Sequence, residues 1–333
     1  MTKLSLSLAF HPNPRSGPVL DGSIRPEGID LAVSHVAPPE LFHRQLVHRE
    51  FDVSEMSISS LLIITAQGDT SWVALPIFTT RTFFGTAALV HVNSGIKKPS
   101  DLKGKRVGVH EYQMTAALWA RGFFQHEYNV LPQDVRWTME RSPELSHGGA
   151  TGFSPPAGIN LEYMPEDKNL GQMLADNELD ATLFYFRSFG QGGMNRSVAD
   201  LVNHPQVNTL FPDPNAESAR YFKKTGVFPF NHTVILRRSI YEKHPWVARN
   251  LLEAFEQAKQ ISYQRALEQN SSWIQAGLVP TNVREGFGRD LFPYGVSPNR
   301  HVIELAMQYS YEQGLTPRQL SSEELFAPTL LDT

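Results

Sequence analysis

The side chains that could do chemistry stand where strand-like runs begin or end. His232 opens the apolar run HTVILRR, and histidine is the natural general acid for delivering a proton near neutral pH. A satisfied structural histidine is the competing reading. Glu55 lies in FDVSEMS, with Ser57 and Ser59 just beyond it. A carboxylate in an apolar cleft can donate or shuttle a proton, and the serines can either bond a polar ligand or cap the helix that follows. Arg81 and Arg187 come after the runs VALPIF and DATLFYF. Ligands in open α/β sheets sit at the carboxyl ends of strands, where arginine grips a carboxylate with two parallel hydrogen bonds. An ordinary ion pair is the plainer alternative for both arginines. Tyr112, Gln113 and Thr115, in EYQMT, open a helix whose first backbone N–H groups are free to bind an anion, although Thr115 or Glu111 could simply cap it. His11, after the first strand, is a second candidate acid.

Such residues need a frame that brings strand ends together. Leu4 to Phe10 alternates at period two, as a strand does, and the second half of DGSIRPEGIDLAVSHV is another strand candidate. PPELFHRQLVHR has helical spacing with proline at its start, FDVSEMS is a short strand, SISSLLIITAQGD a serine-capped helix, and VALPIF a compact apolar strand. A second set follows: the strands AALVHV and RVGVH, a helix over 113–128, a strand in INLEYMP, a helix in NLGQMLADNEL and a strand in DATLFYF. Pro, Gly and Ser crowd Ser142 to Gly158, which predicts a loop, and Arg187 to Thr225 reads as polar connection with turns at NHPQ and FPDPN. After HTVILRR a long amphipathic helix carries Trp246, Leu251, Ala254, Phe255, Ala258 and Ile261 on one face, and a last helix ends at Gly314. Alternating strands and helices predict α/β architecture with a largely parallel sheet.

Composition narrows the chemistry. The 333 residues contain no cysteine, which removes disulfides, thiolate zinc sites, iron–sulfur clusters and a cysteine nucleophile. Thirty Lys and Arg against 34 Asp and Glu leave a net charge of −4 without long blocks of either sign, unlike the basic face of a nucleic-acid binder. No HxH, HExxH, GxSxG or GxxxxGK[ST] pattern occurs. The apolar run after Lys3 is too short and too polar for a secretion signal, and no stretch approaches 18 apolar residues, so a cytoplasmic protein without a membrane span is expected.

The block SGIKKPSDLKGKRVGVHEYQMTAALWARG, with the later NELDATLF and HTVILRRSIYEKHPWVARNLLEAFEQA, resembles the type II periplasmic-binding-protein fold. Within that fold, DGSIRPEGIDL, FDVSEMSISSLL, the same long block, GVFPFNHTVILRRSIYEKHPWVARNL and YEQGLTPRQLSSEELFAP are similar to the 4,5-dihydroxyphthalate decarboxylases. The resemblance implies two α/β lobes with a ligand cleft between them, one built from residues 1–88 and 227–333, the other from 89–226. It implies a cytoplasmic enzyme that removes a carboxylate from a hydroxylated aromatic dicarboxylate without an organic cofactor. A divalent metal, which a catechol could chelate, stays open. His232 would then protonate the ring carbon, Glu55 would shuttle the proton, and Ser57 and Ser59 would hold the catechol. Arg81 and Arg187 would bind the remaining carboxylate, aided by Tyr112, Gln113 and Thr115. The expected partner is a small aromatic carboxylate, with no nucleic acid or membrane, and a homo-oligomer is left open. The alternative is a non-catalytic solute-binding protein, as a transporter component or a cytosolic sensor. Two stretches depart from the family pattern: Phe84 and Gly85 after Arg81, where another basic residue is expected, and FYFRSFGQGGMNRS in place of a Pro-rich, Arg-bearing turn.

Overall fold

The computed structural model describes residues 3–187, 194–279 and 290–333. Two sheets form, and the chain visits the first, then the second, then the first again. In the first, β1 (Leu4–Phe10) pairs in parallel with β2 (Ile29–His35) and β3 (Val53–Ser57). The helices Pro38–His48 and Ile58–Ala66 supply the long connections of this lobe. Returning late in the chain, β11 (His232–Arg237) inserts antiparallel between β3 and β4 (Trp72–Leu75), giving the order β2-β1-β3-β11-β4. Its register puts His232 opposite Ser57 and Val234 opposite Glu55. Since side chains alternate faces along a strand, Glu55 and His232 become diagonal neighbours on one face.

The second sheet joins β5 (Leu89–His91), β6 (Arg106–Val109), β7 (Arg136–Met139), β8 (Asn160–Tyr163), β9 (Ala181–Thr182) and β10 (Val207–Thr209) in the order β10-β5-β9-β6-β7-β8. Strands β9, β6, β7 and β8 are parallel, whereas β5 and β10 run against their neighbours. Each sheet is thus largely parallel, as the pattern suggests, with one reversed strand, β11 in the first and β5 in the second. The segments that carry the chain between lobes lie side by side: Thr82 N–H donates to Pro229 O (3.0 Å) and Asn231 N–H to Thr80 O (3.1 Å). This two-stranded crossing is the hinge.

The C-terminal helix Arg300–Glu312 also reaches the second lobe. Its Tyr309 ring covers Gly122 in the helix Thr115–Tyr128, where a Cβ would lie 2.1 Å from the ring, so only glycine permits the approach. Arg121 Nε bonds Gln313 Oε1 at 2.9 Å beside it.

Local readings failed in identifiable places. Strand β7 has no run long enough to be read from sequence. The Ser142–Gly158 segment holds a short helix, His147–Thr151, capped by the Ser146 hydroxyl. FPDPN is a helix start and not a plain turn: Asp213 accepts from Ala216 N–H at 2.9 Å, Pro214 occupies the first turn, and the helix Pro214–Thr225 stops at Gly226 with φ of 69°. In the long helix Trp246–Gln275, Trp246 is exposed and Lys259 is buried, its ammonium held 2.6 Å from Asp290. Among the described residues no helix is long and apolar enough to cross a membrane.

Candidate active site

A cavity of about 710 Å³ opens between the two lobes. From the first lobe it is lined by His11, the start of the helix Pro38–His48, Ser57, Asn231 and His232. The second contributes Met114, Thr115, Arg141, His147, Phe186, Arg187, Met194 and Asn195. The volume is that of an ordinary small-molecule site and leaves room beyond a single substituted ring.

On the first-lobe wall, His232 Nδ1 lies 2.7 Å from Glu55 Oε1. Glu55 is buried behind the histidine, and its other oxygen accepts the His11 backbone N–H at 3.3 Å. The Phe42 ring meets the imidazole edge-on at 4.8 Å. Glu55 thereby fixes the tautomer and the plane of the ring, and with Nδ1 committed, Nε2 is the nitrogen left to serve the cavity. His11 lines the cavity nearby, its backbone tied to the same carboxylate.

The two lobes meet around four polar residues. Ser57 Oγ lies 2.9 Å from Thr115 Oγ1, Ser59 N–H donates to Thr115 Oγ1 at 3.2 Å, and the Ser59 hydroxyl donates to Gln113 O at 2.5 Å. Ser57 also accepts from Ser60 N–H as an N-cap. Of these four residues, Ser57 and Thr115 reach the cavity, whereas Ser59 and Gln113 are spent joining the lobes.

The second-lobe wall carries two guanidinium groups, each paired with a carboxylate. Arg141, only 2% exposed, donates through Nη1 to Glu111 Oε2 and through Nε to Asn195 Oδ1 at 2.8 Å, leaving Nη2 for a ligand. Glu111 also accepts from Gln113 Nε2 (2.5 Å), Ser146 Oγ (2.6 Å) and Gly148 N–H (2.9 Å). Burial opposes its ionisation, but the positive field of its neighbours and these hydrogen bonds outweigh burial and lower its pKa to about 2. Burial lowers the pKa of His147 to about 4 despite the neighbouring carboxylate, so its imidazole is neutral at pH 7. Arg187 lines the cavity half-exposed, donating to Val198 O (3.0 Å) and Asp200 (3.0 Å). Behind it, His110 and Glu140 hold the chain on both sides of this wall: Phe186 N–H donates to His110 Nε2 at 3.0 Å, and Ser197 N–H to Glu140 at 2.9 Å. Residues 188–193 of FYFRSFGQGGMNRS lie outside the described residues.

Two expected ligand groups sit elsewhere. Arg81 is buried at the hinge, where Nη1 donates to Phe228 O (2.7 Å) and Nη2 to Pro293 O (3.2 Å) and Asn299 Oδ1. It cross-braces the crossing strands instead of gripping a ligand. Burial lowers its pKa to about 10, so it remains charged at neutral pH. Tyr112 lies in the core of the second lobe, its ring 3.9 Å beneath the Arg121 guanidinium, because the residue after Glu111 turns inward under the helix. Arg141 and His147 are the main residues that sequence reasoning missed. The strand-end rule applied to β7 would have found Arg141, two residues past Met139, had that strand been read. His147 lay in the stretch taken for a loop.

The chain is 32% identical to a 4,5-dihydroxyphthalate decarboxylase of Comamonas testosteroni, over 100% of this chain and 99% of that one. It is 33% identical to one of Pseudomonas putida, over 67% of this chain and 83% of that one. The chain belongs to the 4,5-dihydroxyphthalate decarboxylase family. No general family model matches it. Its fold is that of the periplasmic binding proteins, as in the alkanesulfonate-binding protein SsuA from Xanthomonas axonopodis pv. citri, at a TM-score of 0.56 and 14% identity over 98% of this chain and 99% of that one. Membership of a decarboxylase family makes this chain an enzyme, a carboxy-lyase, on a scaffold shared with binding proteins. For such a reaction the cavity offers a carboxylate-backed imidazole on one wall and guanidinium groups on the other.

Proposed function

We propose that the chain converts 4,5-dihydroxyphthalate to protocatechuate and carbon dioxide in the cavity between its lobes. One observation carries the assignment of roles: the His232–Glu55 pair and the guanidinium groups of Arg141 and Arg187 line the same cavity from opposite lobes. Arg141 Nη2, with Arg187, binds the carboxylate that is retained. Ser57 and Thr115 bond the ring hydroxyls. A hydroxyl para to the departing carboxylate pushes electrons into the ring as His232 Nε2 delivers a proton to the carbon bearing that carboxylate. The carbon–carbon bond then breaks, its electron pair restores the aromatic ring, and carbon dioxide leaves. Solvent returns the proton to His232. Glu55 holds the imidazole in plane for the transfer, and His11 stands beside it as a contact for the substrate. Apolar groups at Phe42, Met114, Phe186 and Met194 exclude water and weaken the solvation of the leaving carboxylate.

The bodies that close on the substrate are residues 1–88 with 227–333 on one side and 89–226 on the other. The enzyme is assigned to the cytoplasm. Among the described residues no group of three or more His, Asp or Glu side chains is placed to hold a metal ion. Purified protein, with chelator and separately with added divalent ions, is incubated with 4,5-dihydroxyphthalate while protocatechuate and carbon dioxide are measured. Stoichiometric appearance of both is expected. Recovery of unchanged ligand under every condition would falsify the reading in favour of a solute-binding protein.

A further inference from the structure

His147 belongs to the second lobe but makes its outward hydrogen bond to the first. Its Nε2 donates to Pro39 O at 2.8 Å, and its ring meets Phe42 edge-on at 5.8 Å. Its Nδ1, unprotonated in the neutral ring, lies 3.4 Å from Glu111 Oε2 without a hydrogen bond, and that oxygen receives Arg141 Nη1. The residues on either side of the ring, Ser146 and Gly148, both donate to Glu111 Oε1, so the segment that carries His147 joins the first-lobe helix Pro38–His48 to the carboxylate that aims the arginine. Glu111 is fully buried and collects donors from Gln113, Ser146 and Gly148 as well, so its position is determined from several sides. His147 is 3% exposed because the first lobe covers it. Rotation about the crossing at Thr80–Thr82 and Pro229–Asn231 would part Nε2 from Pro39 O and admit water to both.

We propose that His147 is the closing latch of the enzyme: a positioning residue that couples lobe closure to carboxylate capture by Arg141. The inference rests on the decarboxylase reading for the identity of the captured group, but the latch itself does not. With the latch made, Arg141 is held by Glu111 and Asn195, and its Nη2 meets the ligand in a site shut against water. With it broken, the helix His147–Thr151 loses its tie to Pro39, and the ligand must supply the closing energy that the latch contributes. A closed state favoured before binding raises apparent affinity in proportion to its population.

The absence of native cysteine allows a direct measurement. Val47→Cys in the first lobe and Val202→Cys in the second are both exposed positions for spin labels, and the distance between them reports closure. His147→Phe removes the donor and retains a ring, whereas His147→Gln keeps an N–H near the place of Nε2. In ligand-free protein His147→Phe is expected to lengthen or broaden the distance distribution, and His147→Gln to restore much of it. Phthalate, which lacks the ring hydroxyls, is the binding probe. Its affinity is expected to fall about five- to tenfold in His147→Phe, the size of one lost hydrogen bond, with recovery in His147→Gln. Recovery separates the latch from a general packing role, which the smaller amide would not rescue. Distances unchanged in His147→Phe would overturn the latch, and unchanged phthalate affinity would overturn its coupling to Arg141. If wild-type protein fails to bind phthalate, the carboxylate reading of the cavity falls, while the ligand-free distances still decide the latch.

Discussion

In the first lobe His232 Nδ1 lies 2.7 Å from Glu55, and in the second His110 Nδ1 lies 3.1 Å from Glu140. Both carboxylates are buried, and both are joined to further backbone donors. The pairs differ at the other ring nitrogen. His110 Nε2 is consumed by Phe186 N–H at 3.0 Å, and the imidazole is sealed among Phe184, Tyr185 and Phe186. His232 stands on the cavity wall with Nδ1 engaged by Glu55 and, among the described residues, no hydrogen bond at Nε2. A carboxylate–histidine contact is therefore no signature of catalysis by itself. What distinguishes the two is whether the far nitrogen meets solvent space or the protein's own backbone.

Replacing His232 gives the sharpest test of that difference. His232→Ala is expected to lower kcat by about 10²- to 10⁴-fold, the usual worth of a positioned proton donor, with little change in phthalate affinity. Glu55→Gln, which keeps the contact but alters the tautomer it supports, should lower kcat by a smaller factor. His110→Ala should act through the Phe186–Arg187 wall, raising KM more than it lowers kcat. A kcat loss in His110→Ala as large as that in His232→Ala, with the fold intact, would break the comparison. Next in size is Arg141→Ala. Substrate and phthalate are both expected to bind about a hundredfold more weakly, and stability to fall by about 3–5 kcal/mol because Glu111 is left buried without its cation. Arg141→Lys should recover part of the stability but little of the affinity, since one ammonium cannot serve Glu111, Asn195 and a carboxylate together. Calorimetric titration and urea unfolding separate the two effects.

The structural pair makes a prediction in pH. Burial opposes ionisation of Glu140, but hydrogen bonds from His110, Ser197 and Leu170 prevail and lower its pKa from 4.5 to about 2. A depressed carboxylate pKa stabilises the fold above the unfolded value and ceases to do so as protons bind. Its contribution is thus complete above about pH 5 and lost as pH falls from 4.5 toward 2. Glu140→Gln should remove that part of the acid dependence, and urea midpoints across the interval read it directly. His147 acts in the same direction at higher pH. Its pKa falls from 6.5 unfolded to about 4 folded, so the unfolded chain takes up the proton first and stability declines between those values. The pH profile of His147→Gln should be flatter over that range.

What could be read from the sequence follows the physical range of each signal. The strands of the first lobe and the long helices announce themselves by periodicity, a local property, and the apolar runs of β1, β3 and β11 lie where the patterns put them. His232 and Glu55 were both legible as candidates, but their pairing was not, because it depends on an antiparallel register between residues 177 positions apart. Arg141 was hidden by a four-residue strand with two polar residues, too short to show alternation. His147 was hidden by glycines and prolines that predict irregular chain correctly on either side of a five-residue helix. Tyr112 and Gln113 illustrate the opposite error: a helix start near a cleft was identified, yet only Met114 and Thr115 there face it.

Arg81 is where the smallest effect on activity is expected, and it tests strand-end reasoning most severely. Its position after β4 satisfies the rule for a ligand residue as well as Arg141 does after β7, but its guanidinium is surrounded by acceptors from its own chain. Phe228 O and Pro293 O lie on separate segments, and the rings of Phe78 and Phe230 pack within 6 Å of its charge. Arg81→Met fills much of the same space without the donors. Stability should fall by about 1–3 kcal/mol as the carbonyls and the Asn299 amide oxygen lose their partners. KM and kcat per folded molecule should stay within about twofold of wild type. The reverse outcome, a tenfold or greater rise in KM at unchanged unfolding midpoint, would return Arg81 to the binding site and require the hinge to open far enough to release it from Phe228. The two arginines thus separate a shared position in sequence from a difference in what surrounds the charge, and the unfolding and kinetic measurements read those two properties independently.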